Sequence, residues 1–209
     1  VSPALASADD LERVLTEARS LGFLGPGPVP PQIDHARGFA SMPTRTPESF
    51  LDLGSGGGLP GLVLAVTWPD ATGVLLDAMR RRVDFLEQAC GSLGLAGRIS
   101  VVCERAEVAA HDAALRERFD LVTARSFGRP AATAECAAGF LRPGGELVVS
   151  EPPEDVGDRW PAEPLAGLGL EVHRAASAGT RFVLLRRSGP VGTGIPRRTG
   201  VPEKRPRWR

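Results

Sequence analysis

Cysteine is scarce in this 209-residue chain: Cys90, Cys103 and Cys136 stand far apart, with no C-x-x-C pairing. That spacing excludes a zinc ribbon and a disulfide framework, and the apolar or small neighbours of all three point to buried free thiols. No apolar run reaches membrane-spanning length, and no basic segment followed by an apolar block opens the sequence. A soluble, cytoplasmic protein with no membrane partner is therefore expected. Net charge is missing too, with 25 acidic residues against 25 Lys and Arg. Its distribution is uneven: from Arg181 onward eight Arg and one Lys face a single Glu, a net +8 that leaves −8 for residues 1–180. Bulk charge thus argues neither for nor against a polyanionic partner, while the basic end invites one.

What the chain does have is one organising stretch, Phe50-Leu51-Asp52-Leu53-Gly54-Ser55-Gly56-Gly57-Gly58-Leu59-Pro60-Gly61. An apolar strand ends in an acid, a glycine-rich turn follows, and Leu62 to Trp68 starts an apolar helix. Glycines suit such a turn because the backbone must adopt positive φ and approach a ligand with no Cβ in the way. The following helix aims its free N–H groups at that ligand. The string Gly56 to Gly61 fits the dinucleotide fingerprint G-x-G-x-x-G, a weak signal by itself. Asp52 argues against a pyrophosphate, because a carboxylate there would face the amino-acid part of a cationic ligand. Pro60 also removes an N–H that a phosphate would use. Acid-x-Gly-x-Gly-x-Gly is instead the pattern of S-adenosylmethionine methyltransferases; the bland rival is a tight turn holding nothing.

Asp77 ends a second apolar run, Gly73 to Leu76, 25 residues after Asp52. A carboxylate at a strand tip accepts both ribose hydroxyls of a nucleoside, and can equally cap the helix beginning near Met79. The alternation continues with helix 80–93 stopped by Gly94, strand 99–103, helix 106–115, strand 119–124, helix 131–141, a turn at Pro143-Gly144-Gly145 and strand 146–149. Two late strands, 168–174 and 180–187, make a hairpin through Ser177-Ala178-Gly179. This rhythm predicts an α/β fold: a doubly wound, mainly parallel seven-stranded sheet with helices on both faces. Ligands bind such sheets at the carboxyl ends of the strands, which gathers Asp52, Asp77, residues 104–107 and residues 125–127.

Ahead of the sheet, Ser7 caps a helix over 8–21, and the Gly- and Pro-rich stretch 22–31 is expected as a linker or binding loop, with a short helix near 33–39. His35 in that stretch is a candidate substrate contact or an ordinary surface residue. The organisation expected is a helix and loop over 1–47, a cofactor-binding domain over 48–188, and a basic extended tail over 189–209 that orders on a partner or not at all. Arg197, Arg198, Lys204, Arg205, Arg207 and Arg209 would favour phosphates, with Trp208 available to stack on a base; the rival is a solubilising end.

These motifs together carry a resemblance. Leu51 to Gly61, Leu76-Asp77, Arg81-Arg82-Val83-Asp84-Phe85-Leu86, Arg105-Ala106-Glu107, Asp120 to Arg125, Leu141 to Gly145 and the ending Ile195 to Pro206 resemble the bacterial 16S ribosomal RNA guanine-N7 methyltransferases, also called glucose-inhibited division protein B. The likeness runs from about residue 48 to 150 and resumes at the C-terminus. It implies a class I, Rossmann-like methyltransferase domain using S-adenosylmethionine, no metal, a monomer, and 16S ribosomal RNA or the 30S subunit as partner.

It further implies that Asp52, Gly54, Ser55, Gly56, Gly58 and Leu59 cradle the methionine part. Asp77 and Ala78 would take the ribose, Arg105, Ala106 and Glu107 the adenine edge, and Arg125 would meet both cofactor and substrate as the catalytic side chain. His35, Arg197, Arg198, Lys204 and Arg205 would touch substrate. The chain departs from the family at Ser150-Glu151-Pro152-Pro153, where the family carries a lysine and glycine, and in its short, proline-broken first 47 residues. His35 is only a loose counterpart of a family histidine, and Arg125 has Asp120 and Glu135 as rival partners. The departures leave methylation of a small molecule or peptide, or a non-catalytic cofactor-binding module, as alternatives.

Overall fold

A computed structural model describes residues 7–154, 158–178 and 180–208. The elements are α1 Ala8–Ser20, α2 Val29–Ala40, β1 Ser49–Leu53, α3 Gly61–Thr67, β2 Thr72–Asp77, α4 Arg80–Ser92, β3 Ile99–Cys103, α5 Ala106–Ala109, β4 Phe119–Ala124, α6 Pro130–Ala138, β5 Leu141–Ser150, α7 Ala162–Ala166, β6 Leu170–Ala178, β7 Thr180–Arg187 and α8 Val201–Lys204. One sheet takes the strands in the order β3-β2-β1-β4-β5-β7-β6. The first five run parallel, and β7 is antiparallel to both its neighbours. The seven strands and a late hairpin match the sequence expectation, but Ser177 and Ala178, expected in its turn, pair with Arg181 and Thr180 inside the hairpin, and Gly179 lies outside the described residues.

The central strands are apolar on both faces because both faces are covered, which is the rule for parallel sheets. Leu11, Phe39, Phe50, Leu62, Leu75, Leu86 and Phe182 fill one side beneath α1 to α4. Leu51, Leu53, Leu76, Phe140, Leu147, Leu168 and Leu185 fill the other, under α5 to α7. Among the described residues no helix is long and apolar enough to cross a membrane.

Four local expectations are corrected. Pro30 and Pro31 do not break the chain. They sit in the first turn of α2, where no intrahelical N–H bond is lost and their fixed φ suits the helix. The helix after β3 spans only Ala106–Ala109. Pro143-Gly144-Gly145 lies inside β5, where the register against β4 jumps between Phe119 and Leu121, so it is a bulge and not the turn expected. Cys103 is half-buried, whereas Cys90 and Cys136 are buried free thiols.

The largest difference concerns the C-terminal segment, which is not an extended tail. Val191, Ile195, Pro196 and Pro202 are buried, and α8 packs on α6. The Arg197 backbone N–H, Nε and Nη2 all donate to the Glu135 carboxylate, at 2.9, 2.7 and 2.6 Å. Nε of Arg207 adds a fourth contact at 3.3 Å. Glu135 is fully buried. Burial by itself would raise its pKa, but the hydrogen bonds and charge of Arg197 outweigh it and hold the carboxyl below its usual range. Low apolar content suggested disorder; a buried charge on α6 supplies the anchor instead.

Candidate functional site

The glycine-rich loop crosses from β1 to α3 and is tied to the tip of β2. The N–H groups of Gly54 and Ser55 both donate to the Leu76 carbonyl at 2.9 Å, and the Gly56 N–H donates to Asp77 Oδ2 at 2.9 Å. Gly54 has φ +74°, and a Cβ there would lie 2.7 Å from the Phe127 ring. Glycine is required at that position by both conformation and space.

Asp52 is placed differently from expectation. Its carboxylate does not face a cleft: Oδ1 accepts from the Thr123 hydroxyl at 2.8 Å and Oδ2 from the Gly61 N–H at 3.0 Å, with the side chain buried. It ties β1, β4 and the start of α3 together. Burial pushes its pKa up to about 6, partly offset by hydrogen bonds including that of Thr123 and by the charge of Arg125. Ser55 also turns inward, its hydroxyl donating to the Asp52 carbonyl at 3.0 Å. Leu59 belongs to the core, and a Cβ on Gly58 would strike Leu62 at 2.4 Å, so both serve packing of loop on helix.

A cavity of about 270 Å³ opens beside the loop, lined by Gly54, Asp77, Ala78, Arg105, Ala106, Glu107 and Phe127, with Pro202 and Glu203 closing one side. Asp77 does not cap α4, whose N-cap is Met79 with no side-chain bond; its Oδ1 accepts from the Met79 N–H at 2.8 Å while Oδ2 takes Gly56. Glu107 Oε1 accepts from the Gly200 N–H at 2.8 Å and pairs with Arg105 at 3.4 Å. Burial opposes ionisation of Glu107, yet the Gly200 hydrogen bond and Arg105 hold its pKa low. The C-terminal segment thus forms a wall of this cavity, a role the sequence pattern did not signal.

A second cavity of about 390 Å³ adjoins the first, sharing Phe127 and Gly128, at the carboxyl ends of β4 and β5. Into it come Arg125 from β4, His35 from α2, and Glu151, Arg159 and Trp160 from the segment after β5. Arg125 pairs with neither Asp120 nor Glu135: its Nη2 donates to Gln32 Oε1 at 3.0 Å, and its Nη1 is buried without a partner. Asp120 is taken instead by Arg45 and Arg142. The His35 ring sits against Phe39 and Phe182, and its Nδ1 is likewise buried and unpartnered. Burial and then the Arg125 charge lower its pKa, which favours the neutral imidazole.

Glu151 is not an isolated acid. Its Oε2 accepts from Arg159 Nη1 at 2.8 Å and its Oε1 from Trp160 Nε1 at 3.1 Å. Arg159, eight residues on, thus neutralises the acid at position 151.

None of the expected tail cations lines this second cavity. Arg197 is spent on Glu135, and Arg198, Lys204 and Arg205 are exposed elsewhere. Trp208 is not free to stack, since its Nε1 donates to the Arg159 carbonyl at 2.9 Å. Arg209 lies outside the described residues.

Comparison with known proteins bears on what these cavities do. Residues 33–151 match the family model described as rRNA small subunit methyltransferase G. A protein named ribosomal RNA small subunit methyltransferase G from Fervidobacterium nodosum is 35% identical over 165 residues, covering 76% of each chain. One of the same name from Rubrobacter xylanophilus is 37% identical over 185 residues, covering 83% of this chain and 70% of its own length. Among solved structures, an O-methyltransferase from Bacillus cereus in complex with SAH superposes with a TM-score of 0.64 at 16% identity, covering 88% of this chain and 93% of that one. A cofactor-bound protein from MTB gives 0.62 at 17% identity, covering 90% and 94%. At those identities the structural likeness speaks for the fold alone.

Proposed function

The chain belongs to the ribosomal RNA small subunit methyltransferase G family, and from that premise we propose that it transfers a methyl group from S-adenosylmethionine to N7 of a guanine in 16S ribosomal RNA. The observation that carries this reading is the pair of cavities meeting at Phe127 and Gly128. One offers the glycine loop, four carboxylates with Asp77 and Glu107 among them, and small residues suited to a nucleoside; the other offers two guanidiniums, a carboxylate, an imidazole and aromatic walls suited to a base.

The residues present fit the cofactor. Gly54 lets the Phe127 ring pack against the loop at the cavity's edge, Asp77 stands at the β2 tip for ribose hydroxyls, and Arg105, Ala106 and Glu107 border the adenine position. When bound, S-adenosylmethionine supplies a methyl group already activated on a sulfonium. Guanine N7 carries a free lone pair, so it would accept that group with no proton removed first. The protein's task is then to align the base and exclude water. Arg125, desolvated and with one donor unpartnered, would hold an acceptor atom of the base, and the lowered pKa of His35 favours an imidazole that adds no charge to those of Arg125 and the Arg159–Glu151 pair. A general base is not required of either.

The small-molecule or peptide alternative drew on Glu151 as an unmatched acid at the substrate mouth; its ion pair with Arg159 weakens that ground. A cytoplasmic setting accompanies the ribosomal reading. The test is incubation with labelled S-adenosylmethionine and either small subunits lacking this methyl group or a panel of small amines, hydroxyls and peptides. Label is expected in the RNA only; label in a small acceptor with none in RNA would overturn the proposal.

A further inference from the structure

Among the described residues Glu151 is the one carboxylate lining the second cavity, which it shares with two guanidiniums, its own partner Arg159 and Arg125. Its two observed hydrogen bonds use about half of the roughly four lone-pair positions of a carboxylate. Arg159 and Trp160 fix its orientation, and Phe127 and Trp160 supply flat apolar surface beside it. Arg125 and His35 line the same cavity, and Arg125 Nη1 is a buried donor lacking an acceptor while His35 Nδ1 is a buried ring nitrogen lacking a partner. The cavity therefore presents a carboxylate acceptor and an orphaned cationic donor to one flat ligand.

From this juxtaposition we infer that Glu151, which stands where the family carries a lysine and glycine, is a base-specificity contact particular to this chain: it accepts hydrogen bonds from N1–H and the 2-amino group of guanine while Arg125 donates to the O6 side. The inference rests on the guanine reading above and deepens it. Guanine is the base that pairs adjacent donors on one edge with acceptors at O6 and N7. Adenine would turn its N1 lone pair toward the carboxylate, and uracil and cytosine lack the N7 nucleophile.

The same contact serves the reaction. Methylation at N7 leaves the ring cationic and makes N1–H a stronger donor, so the bond to Glu151 tightens as charge develops. Interactions that strengthen toward the transition state raise turnover as well as binding. Arg159 in turn keeps the cavity net positive, as an RNA-binding mouth requires, without displacing the carboxylate.

The test compares the parent chain with Glu151→Gln and Arg159→Gln, in two assays. In methyl transfer to small subunits lacking the modification, Glu151→Gln should lower kcat/KM by about 30-fold, with part of the loss in kcat, the size expected when a buried hydrogen bond to a charged acceptor is lost. Affinity for S-adenosylhomocysteine should stay within about two-fold of the parent, as expected for a side chain outside the first cavity. In ligand-observed NMR with the S-adenosylhomocysteine-bound protein, the parent should rank GMP over IMP, which lacks the 2-amino group, and both over AMP. Glu151→Gln should lose the GMP-over-IMP preference, whereas Arg159→Gln should keep it. Unchanged kcat/KM in Glu151→Gln on RNA that the parent does label would overturn the inference and leave the guanine reading standing. So would loss of the GMP preference in Arg159→Gln alone, because Glu151 would then act only by holding Arg159. A parent that labels no RNA would remove both together.

Discussion

Arg197 in the C-terminal segment and Glu135 in α6, 62 residues apart in sequence, share three hydrogen bonds of 2.6 to 2.9 Å around a fully buried carboxylate. The segment that looked like a solvated RNA-binding tail is thereby fastened to the body. Its Pro202 and Glu203 close the cavity assigned to the cofactor. Breaking the pair from the Glu135 side leaves Arg197 and Arg207 unpaired, but both are about a third exposed and water recovers part of the cost. Glu135→Gln should cost about 3 kcal/mol of stability, the low end for a broken buried pair. S-adenosylhomocysteine affinity should fall by about ten-fold, or ~1.4 kcal/mol. Denaturant unfolding and calorimetric titration check the two; unchanged cofactor affinity would show that the wall is dispensable.

The pH dependence follows from Asp52. Its folded pKa of about 6 lies above the ordinary aspartate value of 3.8, so the folded state binds the extra proton between the two. That contribution is fully present below about pH 4 and is lost as pH rises through 6, at roughly 3 kcal/mol for a two-unit difference. Asp52→Asn keeps an acceptor for the Gly61 N–H and removes the titration. The variant should equal or exceed the parent in stability at pH 8 and lose the parent's decline between about pH 4 and 6. A steeper decline in the variant would refute the assignment.

Much of this architecture was legible locally. The acid-and-glycine run, Asp77 at its strand tip and the strand–helix rhythm are short-range patterns fixed by backbone geometry and burial, and they placed the first cavity. The second cavity was legible only in part. Arg125 was visible at a strand end, but its partner Gln32 lies 93 residues away and the rivals Asp120 and Glu135 were nearer in sequence. Glu151 looked like a lost cation because its ion pair with Arg159 depends on how the intervening chain folds back. Pro30 and Pro31 read as breakers since proline's effect differs between a helix interior and a first turn, and sequence alone did not say where α2 began.

At Gly54 a side chain meets two obstacles, a φ of +74° and the Phe127 ring, which lies 2.7 Å from where a Cβ would stand. Gly54→Ala should cost about 1–2 kcal/mol for the left-handed backbone. Moving Phe127 should also disturb both cavities at once, lowering S-adenosylhomocysteine affinity and methyl transfer together. Calorimetric titration and a turnover assay on the same preparation check this; affinity equal to the parent's would contradict the role given to Gly54.

Arg125 makes the opposite prediction. It lines the second cavity and not the first. Arg125→Ala should abolish methyl transfer while S-adenosylhomocysteine binds nearly as well as before. Equal loss of both would mean that the side chain holds the site together through Gln32 and does not meet the substrate.

The central claim is tested most directly by identifying the modified nucleoside. Small subunits from a strain lacking its own guanine-N7 methyltransferase of this type would be incubated with the protein and labelled S-adenosylmethionine, and the 16S RNA digested to nucleosides and resolved. The account predicts label in 7-methylguanosine, approaching one methyl group per subunit. Label in any other nucleoside, or protein that binds cofactor and leaves the RNA unlabelled, would contradict it.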